Sequence, residues 1–224
     1  MTPGGRRFEP LVQESTPAII ADRLRRAISR GELPAGSQLG EARLAAELGV
    51  SRGPLREGMQ RLTQEGLLVS IRNRGVFVLE MTAADVRDMY VARTAVERAA
   101  LEQVFEGDAG AAATALGEVC DAMASASDAG DAAGIARADV DFHRMLVALA
   151  GSPRLSRMHQ TFLTETEMCI TALGGTYPAP DVRVPEHRAI AEAVAAGNAE
   201  EAVGLLMSHM HDAVERLVTV VPPG

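Results

Sequence analysis

Residues 41–78 read EARLAAELGVSRGPLREGMQRLTQEGLLVSIRNRGVFV, and the order of their periodicities decides the fold. Leu44, Ala45 and Leu48 share one face of a short helix. Gly49 stands just past its end, where a residue tolerant of positive φ closes a helix. Ser51 is placed to cap a second helix, and Pro54 falls in its first turn, where the backbone N–H has no helical partner to lose. Leu55, Met59 and Leu62 follow at i, i+4 and i+7 as the core stripe. Arg52 and Arg56 point together beside that stripe, one turn apart, and Gln60 extends their face. Gly66 ends the helix. Residues 67–71 and 76–79 then pair as strands across Arg72-Asn73-Arg74-Gly75, a hairpin with a cationic tip.

Helix, tight turn, helix with an N-terminal arginine pair, then a basic ribbon: this is the layout of a winged helix-turn-helix. Such a helix enters the major groove by its N-terminal residues, and the wing grips neighbouring backbone or minor groove. A planar guanidinium placed there can take guanine O6 and N7 together. An amphipathic hairpin whose arginines merely cover surface would not need turn glycine, cap, Pro54 and wing in this order. The segment therefore predicts binding to double-stranded DNA.

Read as LxxxLGVSRxPLRExxxRLxxEGL followed by NRGxFV, the stretch resembles the DNA-binding domain of GntR-family bacterial regulators, densely over residues 24–78. The resemblance implies DNA contacts from Arg43, Arg52 and Arg56, with wing-tip contacts around Arg74 and Gly75. Two positions depart from the family pattern. The helix holding Arg43 begins at Gly40-Glu41, where the family has a hydroxyl or amide cap, and Gly58 interrupts the recognition helix. A mid-helix glycine costs about 0.5–1 kcal/mol relative to alanine.

At 224 residues the chain suits two modest domains, each able to bury a core. It is 47% hydrophobic but 3% aromatic, so the core is built of Ala, Leu, Val and Met, which suits closely packed helices. All 22 basic residues are arginine. Residues 1–80 hold 12 of them against 9 acids, while the remainder holds 10 against 21, giving the net charge of −8. A positive N-terminal third on an acidic protein fits local attraction to phosphate. No apolar run approaches the roughly 18 residues of a membrane span and no signal-peptide core is present, so a cytoplasmic protein is expected. Cys120 and Cys169 lack CxxC spacing and read as buried or idle thiols in a reducing compartment.

In order, residues 1–15 form a polar arm in which Arg6 and Arg7 could touch DNA, 16–80 the winged helix-turn-helix, and 81–221 an all-helical domain. The expected class is mainly α, with a small β-hairpin wing and a C-terminal bundle of six or seven helices. Thr16-Pro17 opens the first helix, whose stripe is Ile20, Leu24, Ala27 and Ile28, and Thr82 caps the first helix of the bundle. Bundle helices are predicted over 83–106, 109–128, 131–150, 153–173, 181–196 and 199–219, separated by glycine-bearing breaks that include Gly174-Gly175.

A bundle helix buries one stripe, so a charge on that stripe needs a reason. Arg93 and Glu97 sit among Val86, Tyr90, Leu101 and Val104. Asp139 and His143, one turn apart, share a face with Ile135, Phe142 and Leu146, while His187 precedes Ile190 by one turn. His209 flanks the stripe of Val203, Leu206 and Met210. His187 and His209 stand ten and eleven residues from the turn at Gly197-Asn198, so at about 1.5 Å per residue they lie at matching heights on antiparallel neighbours. A lone histidine is more often a hydrogen-bonded core residue. One carboxylate with three converging imidazoles is the composition of a divalent metal site, suited first to Zn, with Ni, Mn or Fe as alternatives, and open to an exogenous ligand.

DVDFH, AxAGS, EHRAI and LLMSHM resemble the FCD ligand-binding domain of the FadR subfamily within GntR, over nearly all of 82–219. The resemblance implies that Asp139, His143, His187 and His209 hold the metal. It also implies that Arg93 and Glu97, in the YxxRxxxE element, are effector-binding residues, with the effector a small organic acid. Ser152 replaces the family's Asn, and His159 and His211 match no ligand position; His211 reads as surface. A metal with open positions, backed by a guanidinium, is a receptor for a small carboxylate. The expectation is a homodimeric repressor on a palindromic operator, modulated by such an acid and not an enzyme. Two alternatives stand: the metal is itself the signal or purely structural, or the site is catalytic with Glu186 or Glu165 as general base. The last has neither HExxH nor a nucleophile arrangement to support it.

Overall fold

The computed structural model describes residues 15–172 and 180–222. The arm with Arg6 and Arg7 and the break at Gly174-Gly175 lie outside the described residues. The elements run α1 (Thr16–Ser29), β1 (Gln38–Leu39), α2 (Glu41–Leu48), α3 (Arg52–Gln64), β2 (Leu68–Ile71), β3 (Gly75–Val78) and α4 (Ala83–Glu106). They continue as α5 (Ala109–Asp128), α6 (Ala132–Leu149), α7 (Pro153–Ala172), α8 (Pro180–Ala195) and α9 (Ala199–Leu217).

Ile20, Leu24 and Ile28 of α1 pack with Leu44, Leu55, Met59, Leu62 and Val78 in the first core. Gly49 closes α2 at φ 66°, its N–H reaching the carbonyls of Ala45 and Ala46, as a left-handed C-cap requires. The N-caps differ from expectation. Ser51 occupies the cap position of α3 with extended backbone but its side chain accepts no cap bond, and the cap of α1 is Ser15 rather than Thr16. The first amides of α3 are thus uncapped at an end whose residues Ser51, Arg52 and Gly53 are exposed.

The sheet has three strands in the order β1-β3-β2, both pairings antiparallel, with Phe77 facing Gln38 on one side and Val69 on the other. Two residues of β1 are too few for any alternation to show in sequence. The hairpin is also tighter than its predicted tip: Gly75 pairs with Ile71, leaving Arg72-Asn73-Arg74 as the loop, with Asn73 at φ 63°.

Gly58 is where the structure supplies a reason the sequence lacked. A Cβ there would lie 2.9 Å from Ile20 Cγ2 and 3.1 Å from the carbonyl oxygen of Pro17. The glycine is what lets α1 cross α3 closely. Gly58→Ala is therefore expected to destabilise the protein by about 1–3 kcal/mol through overpacking, although alanine is the better helix former. A thermal melt checks this; an unchanged or raised Tm would show that Ile20 gives way.

The second core is the bundle, with Val86, Tyr90 and Leu101 of α4 against Leu116, Phe142, Leu146, Ile190, Leu206 and Met210. Thr82 and Asp85 close a capping box that fixes the start of α4. One helix ties the two cores together. Met168 of α7 packs in the first core, and Thr171 donates its hydroxyl to the Ser29 carbonyl at 2.8 Å. Among the described residues no helix is long and apolar enough to cross a membrane.

Candidate metal centre and nucleic-acid interface

Three helices bring the polar cluster together. α6 contributes Asp139 and His143 from successive turns, α8 His187, and α9 His209; one ligand atom from each lies within 4.8 Å of the others, and all four residues are buried. The rings of His187 and His209 are 4.5 Å apart between centroids, those of His143 and His209 5.1 Å.

Each imidazole is held from its Nδ1 side. His143 Nδ1 lies 2.6 Å from Glu97 Oε2, His187 Nδ1 2.8 Å from the Arg183 carbonyl, and His209 Nδ1 2.9 Å from Glu186 Oε2. A carbonyl or an ionised carboxylate only accepts, so each Nδ1 carries the hydrogen and each Nε2 presents a lone pair. The carboxylates are ionised. Burial works against the charge on Glu97, but the Arg93 guanidinium and His143 hold it well below the usual range. Burial likewise opposes Asp139, yet the Arg183 guanidinium holds it well below. Glu186, against its own burial, is kept at about 2 by hydrogen bonds from His209 and Arg216.

Lone pairs then face one another. His143 Nε2 and His209 Nε2 are 3.1 Å apart. His187 Nε2 lies 3.2 Å from Asp139 Oδ1 and forms no hydrogen bond. Acceptors this close need an electrophile between them. Burial pushes His143 down to about 3, against the pull of Glu97, and His209 down to about 4, so neither ring carries a second proton at neutral pH. Three imidazole nitrogens and a carboxylate, with Nδ1 supports already in place, are a donor set that fits a divalent cation.

The same burial gives a pH prediction for protein stripped of metal. With folded values of about 3 and 4 for His143 and His209 against an ordinary 6.5, the unfolded chain binds more protons between those limits. Stability is therefore full above about pH 6.5 and falls as pH drops towards 4, by roughly 1.4 kcal/mol per pH unit for each ring. Denaturant titrations at pH 7 and pH 5 check this, and equal midpoints would contradict it.

Both oxygens of Glu97 are engaged within the protein: Oε1 lies 2.7 Å from Arg93 Nε and 2.8 Å from His159 Nε2, while Oε2 meets His143 Nδ1. Arg93 is 1% exposed and donates from Nη1 to the Tyr90 hydroxyl and Thr166 Oγ1, both at 3.1 Å. Its Nη2 is buried with no hydrogen-bond partner. Sequence reasoning passed over His159, Arg183 and Arg216. His159 shares an i, i+4, i+7 stripe with Leu163 and Thr166, so periodicity carried a signal that the motif did not. Arg183 stands one turn before His187, with Nη1 2.9 Å from Asp139 Oδ1, and Arg216 reaches Glu186 at 3.1 Å.

His211 is exposed. Of the two alternative bases, Glu186 is committed to His209 and Arg216; Glu165, raised to about 7 by burial and by Asp85 and Asp88, stands outside the four-residue cluster. Cys120 and Cys169 are free and buried, and burial pushes them up to about 11 and about 12.

Arg43, Arg52, Arg56, Arg74 and Gly75 are all exposed. Arg56 Nε donates to Glu41 Oε2 at 2.7 Å, joining α3 to α2, and Arg43 lies 3.7 Å from Glu47. Arg52 makes no ion pair among the described residues. On the wing, the Arg74 guanidinium carbon sits 5.6 Å from the Phe77 ring centre, and the Arg74 carbonyl accepts from Gln38 Nε2 at 2.5 Å. Exposed ion pairs are worth little, so Arg56 can exchange Glu41 for another acceptor readily.

Comparison with known proteins agrees with both halves. Residues 18–78 match the gntR family of bacterial regulatory proteins, and residues 88–212 match the FCD domain. An HTH-type transcriptional regulator from the TAR-I ttuE-ttuC' intergenic region of Agrobacterium vitis is 35% identical over 130 residues, 57% of this chain and 76% of its own. A protein of Paenarthrobacter nicotinovorans described as a D-xylose utilization operon transcriptional repressor is 29% identical over 200 residues, 89% of this chain and 88% of its own. The solved structure of a protein described as a GntR transcriptional regulator from Rhodococcus sp. RHA1 superposes with a TM-score of 0.76 at 30% identity, covering 92% of this chain and 99% of that one. With its arginine-bearing winged helix-turn-helix and the buried cluster in its bundle, this chain belongs to the GntR family as a DNA-binding transcriptional regulator that carries an FCD domain.

Proposed function

We propose that this regulator is a homodimeric repressor whose operator affinity is set by a small carboxylate, taken up at a divalent cation held by Asp139, His143, His187 and His209. The observation that carries the reading is the pair of acceptor–acceptor contacts at 3.1 and 3.2 Å, with every Nδ1 already engaged. A cation bound there supplies Lewis-acid positions for carboxylate oxygens. Arg93, with its buried unpartnered Nη2, offers the guanidinium of such a pocket. The repressor described from P. nicotinovorans supports the sign of regulation. A dimer supplies two reading heads for a two-fold operator. We assign residues 16–80 to DNA reading and 81–221 to sensing and dimerisation.

The contacts of α7 support a route between the two. His159 and Thr166 touch the network around Glu97 and Arg93, while Met168 and Thr171 of the same helix touch the first core and the Ser29 carbonyl. A shift of α7 at the site is a shift of α1.

Elemental analysis of protein purified without chelators tests the cation, with a single divalent ion per chain expected, Zn first. Hydroxy- and dicarboxylates are expected to change operator affinity about 5–150-fold, and chelation to abolish that response. Operator affinity indifferent to both overturns the sensing role. For the reading head, Arg52→Ala is expected to cost about 1–3 kcal/mol of base discrimination. Unchanged preference for operator over scrambled DNA, in a gel-shift or anisotropy titration, would remove Arg52 from base reading.

A further inference from the structure

A cleft of about 650 Å³ lies away from the cluster, where the reading head meets the bundle, with α1 on one side and α6 and α7 on the other. That volume is in the range of small-molecule sites, roughly 300–1,000 Å³. Both domains supply arginines to it. Arg26 and Arg30, one turn apart on α1, come from the reading head; Arg137 and Arg144, two turns apart on α6, come from the bundle.

The cleft also holds two carboxylates, Asp141 and Glu167, and Arg144 takes both, the second at 3.4 Å. The other three guanidiniums are held loosely or not at all. Arg137 lies 3.2 Å from Asp131 and Arg30 3.9 Å from Glu32, in pairs whose side chains are 48–68% exposed. Arg26 makes no ion pair among the described residues. Exposed pairs are worth little and exchange readily for a better acceptor. The lining thus carries two positive charges in excess, drawn from two domains, and these repel one another unless an anion joins them. Beside the arginines the wall is apolar, with Ala136 and Val140 of α6 and Ile170 of α7.

We propose that this cleft is a second ligand site and takes an organic phosphate monoester of about nucleotide size. A phosphoryl group carries nearly two negative charges at neutral pH and three acceptor oxygens, which matches the excess charge and the planar forks of arginines from both walls. An inorganic anion would leave most of the volume and the apolar wall unused; an organic body fills them. The site does not depend on the cation reading, but it touches the same helix. Asp139 and His143 lie on one face of α6, and Arg137, Val140 and Arg144 on another.

The test is calorimetric titration of the full-length protein at low, fixed ionic strength, with and without chelator, using AMP, adenosine and inorganic phosphate. AMP is expected to bind about tenfold or more tightly than either of its parts, since adenosine lacks the charge and phosphate lacks the body, and chelator is expected to change nothing. Arg26→Gln and Arg137→Gln, one from each wall, are each expected to weaken AMP about tenfold. Arg23→Gln removes the same charge from an exposed position of α1 outside the cleft and is expected to leave AMP affinity within about twofold. These arginines are exposed, so the variants are expected to melt as wild type does. AMP bound no more tightly than inorganic phosphate, or unmoved by either cleft variant, overturns the proposal. So does equal weakening by Arg23→Gln, which would mark bulk attraction, or loss of AMP binding on chelation, which would place the phosphate at the metal cluster.

Discussion

Glu97→Gln is expected to lower stability by about 3–5 kcal/mol, with a fall in Tm of roughly 6–20 °C for a chain of this size. The reason is the company Glu97 keeps. It is fully buried, it is the ionic partner of Arg93, itself 1% exposed, and it accepts from His143 and His159 besides. The amide keeps the volume but leaves the Arg93 charge buried without its counter-ion and turns one acceptor into a donor facing a donor. The same change loosens the tautomer and orientation of His143, so divalent-cation affinity is expected to fall about 10–100-fold. Glu102→Gln is the control. Glu102 pairs with Arg98 on the exposed side of the same helix, both side chains more than half exposed, and its removal is expected to shift stability by less than about 0.5 kcal/mol. Equal melts for the two variants would show that the Glu97 network does not hold the bundle.

His187→Ala is expected to weaken cation binding by about 100-fold or more. Structural zinc sites gain about 10–16 kcal/mol from four ligands, so losing one forfeits roughly 3 kcal/mol or above. His187 is well suited to this test. Its Nδ1 is satisfied by the Arg183 carbonyl within α8, so its removal unbalances no other charge. Its Nε2 stands 3.2 Å from Asp139 without a hydrogen bond, and the protein stripped of metal is expected to lose little electrostatically when that contact goes. The imidazole does pack edge-on to Phe142 at 4.7 Å, so some loss of packing accompanies the change. Basal operator binding is expected to persist while the response to carboxylates disappears. Chelator competition and operator titration check the two halves, and an unchanged cation affinity would take His187 out of the centre.

The reading head was legible because its signals are local. Gly49, Pro54, the Leu55-Met59-Leu62 stripe and the arginines beside it lie within about twenty residues, where helical period and turn chemistry act directly. The boundaries of α4 and α5 were fixed the same way, by Thr82 and by the glycine breaks. The sequence also marked Arg93, Glu97, Asp139 and His143 as charges on buried stripes. It could not say what each one faces. The partners of Glu97 lie 46 and 62 residues away, and that of Asp139 44 away, on helices whose relative rotation is set by packing. So only the tertiary structure decided that Glu97 meets His143 and His159 as well as Arg93. It alone brought His159 and Arg183 into the network, turned each Nε2 inward, and made Gly58 a point of helix crossing rather than a flaw. Local patterning tells a chain which side chains to bury; the distance between those side chains, and hence their chemistry, is fixed only when separate helices close on one another.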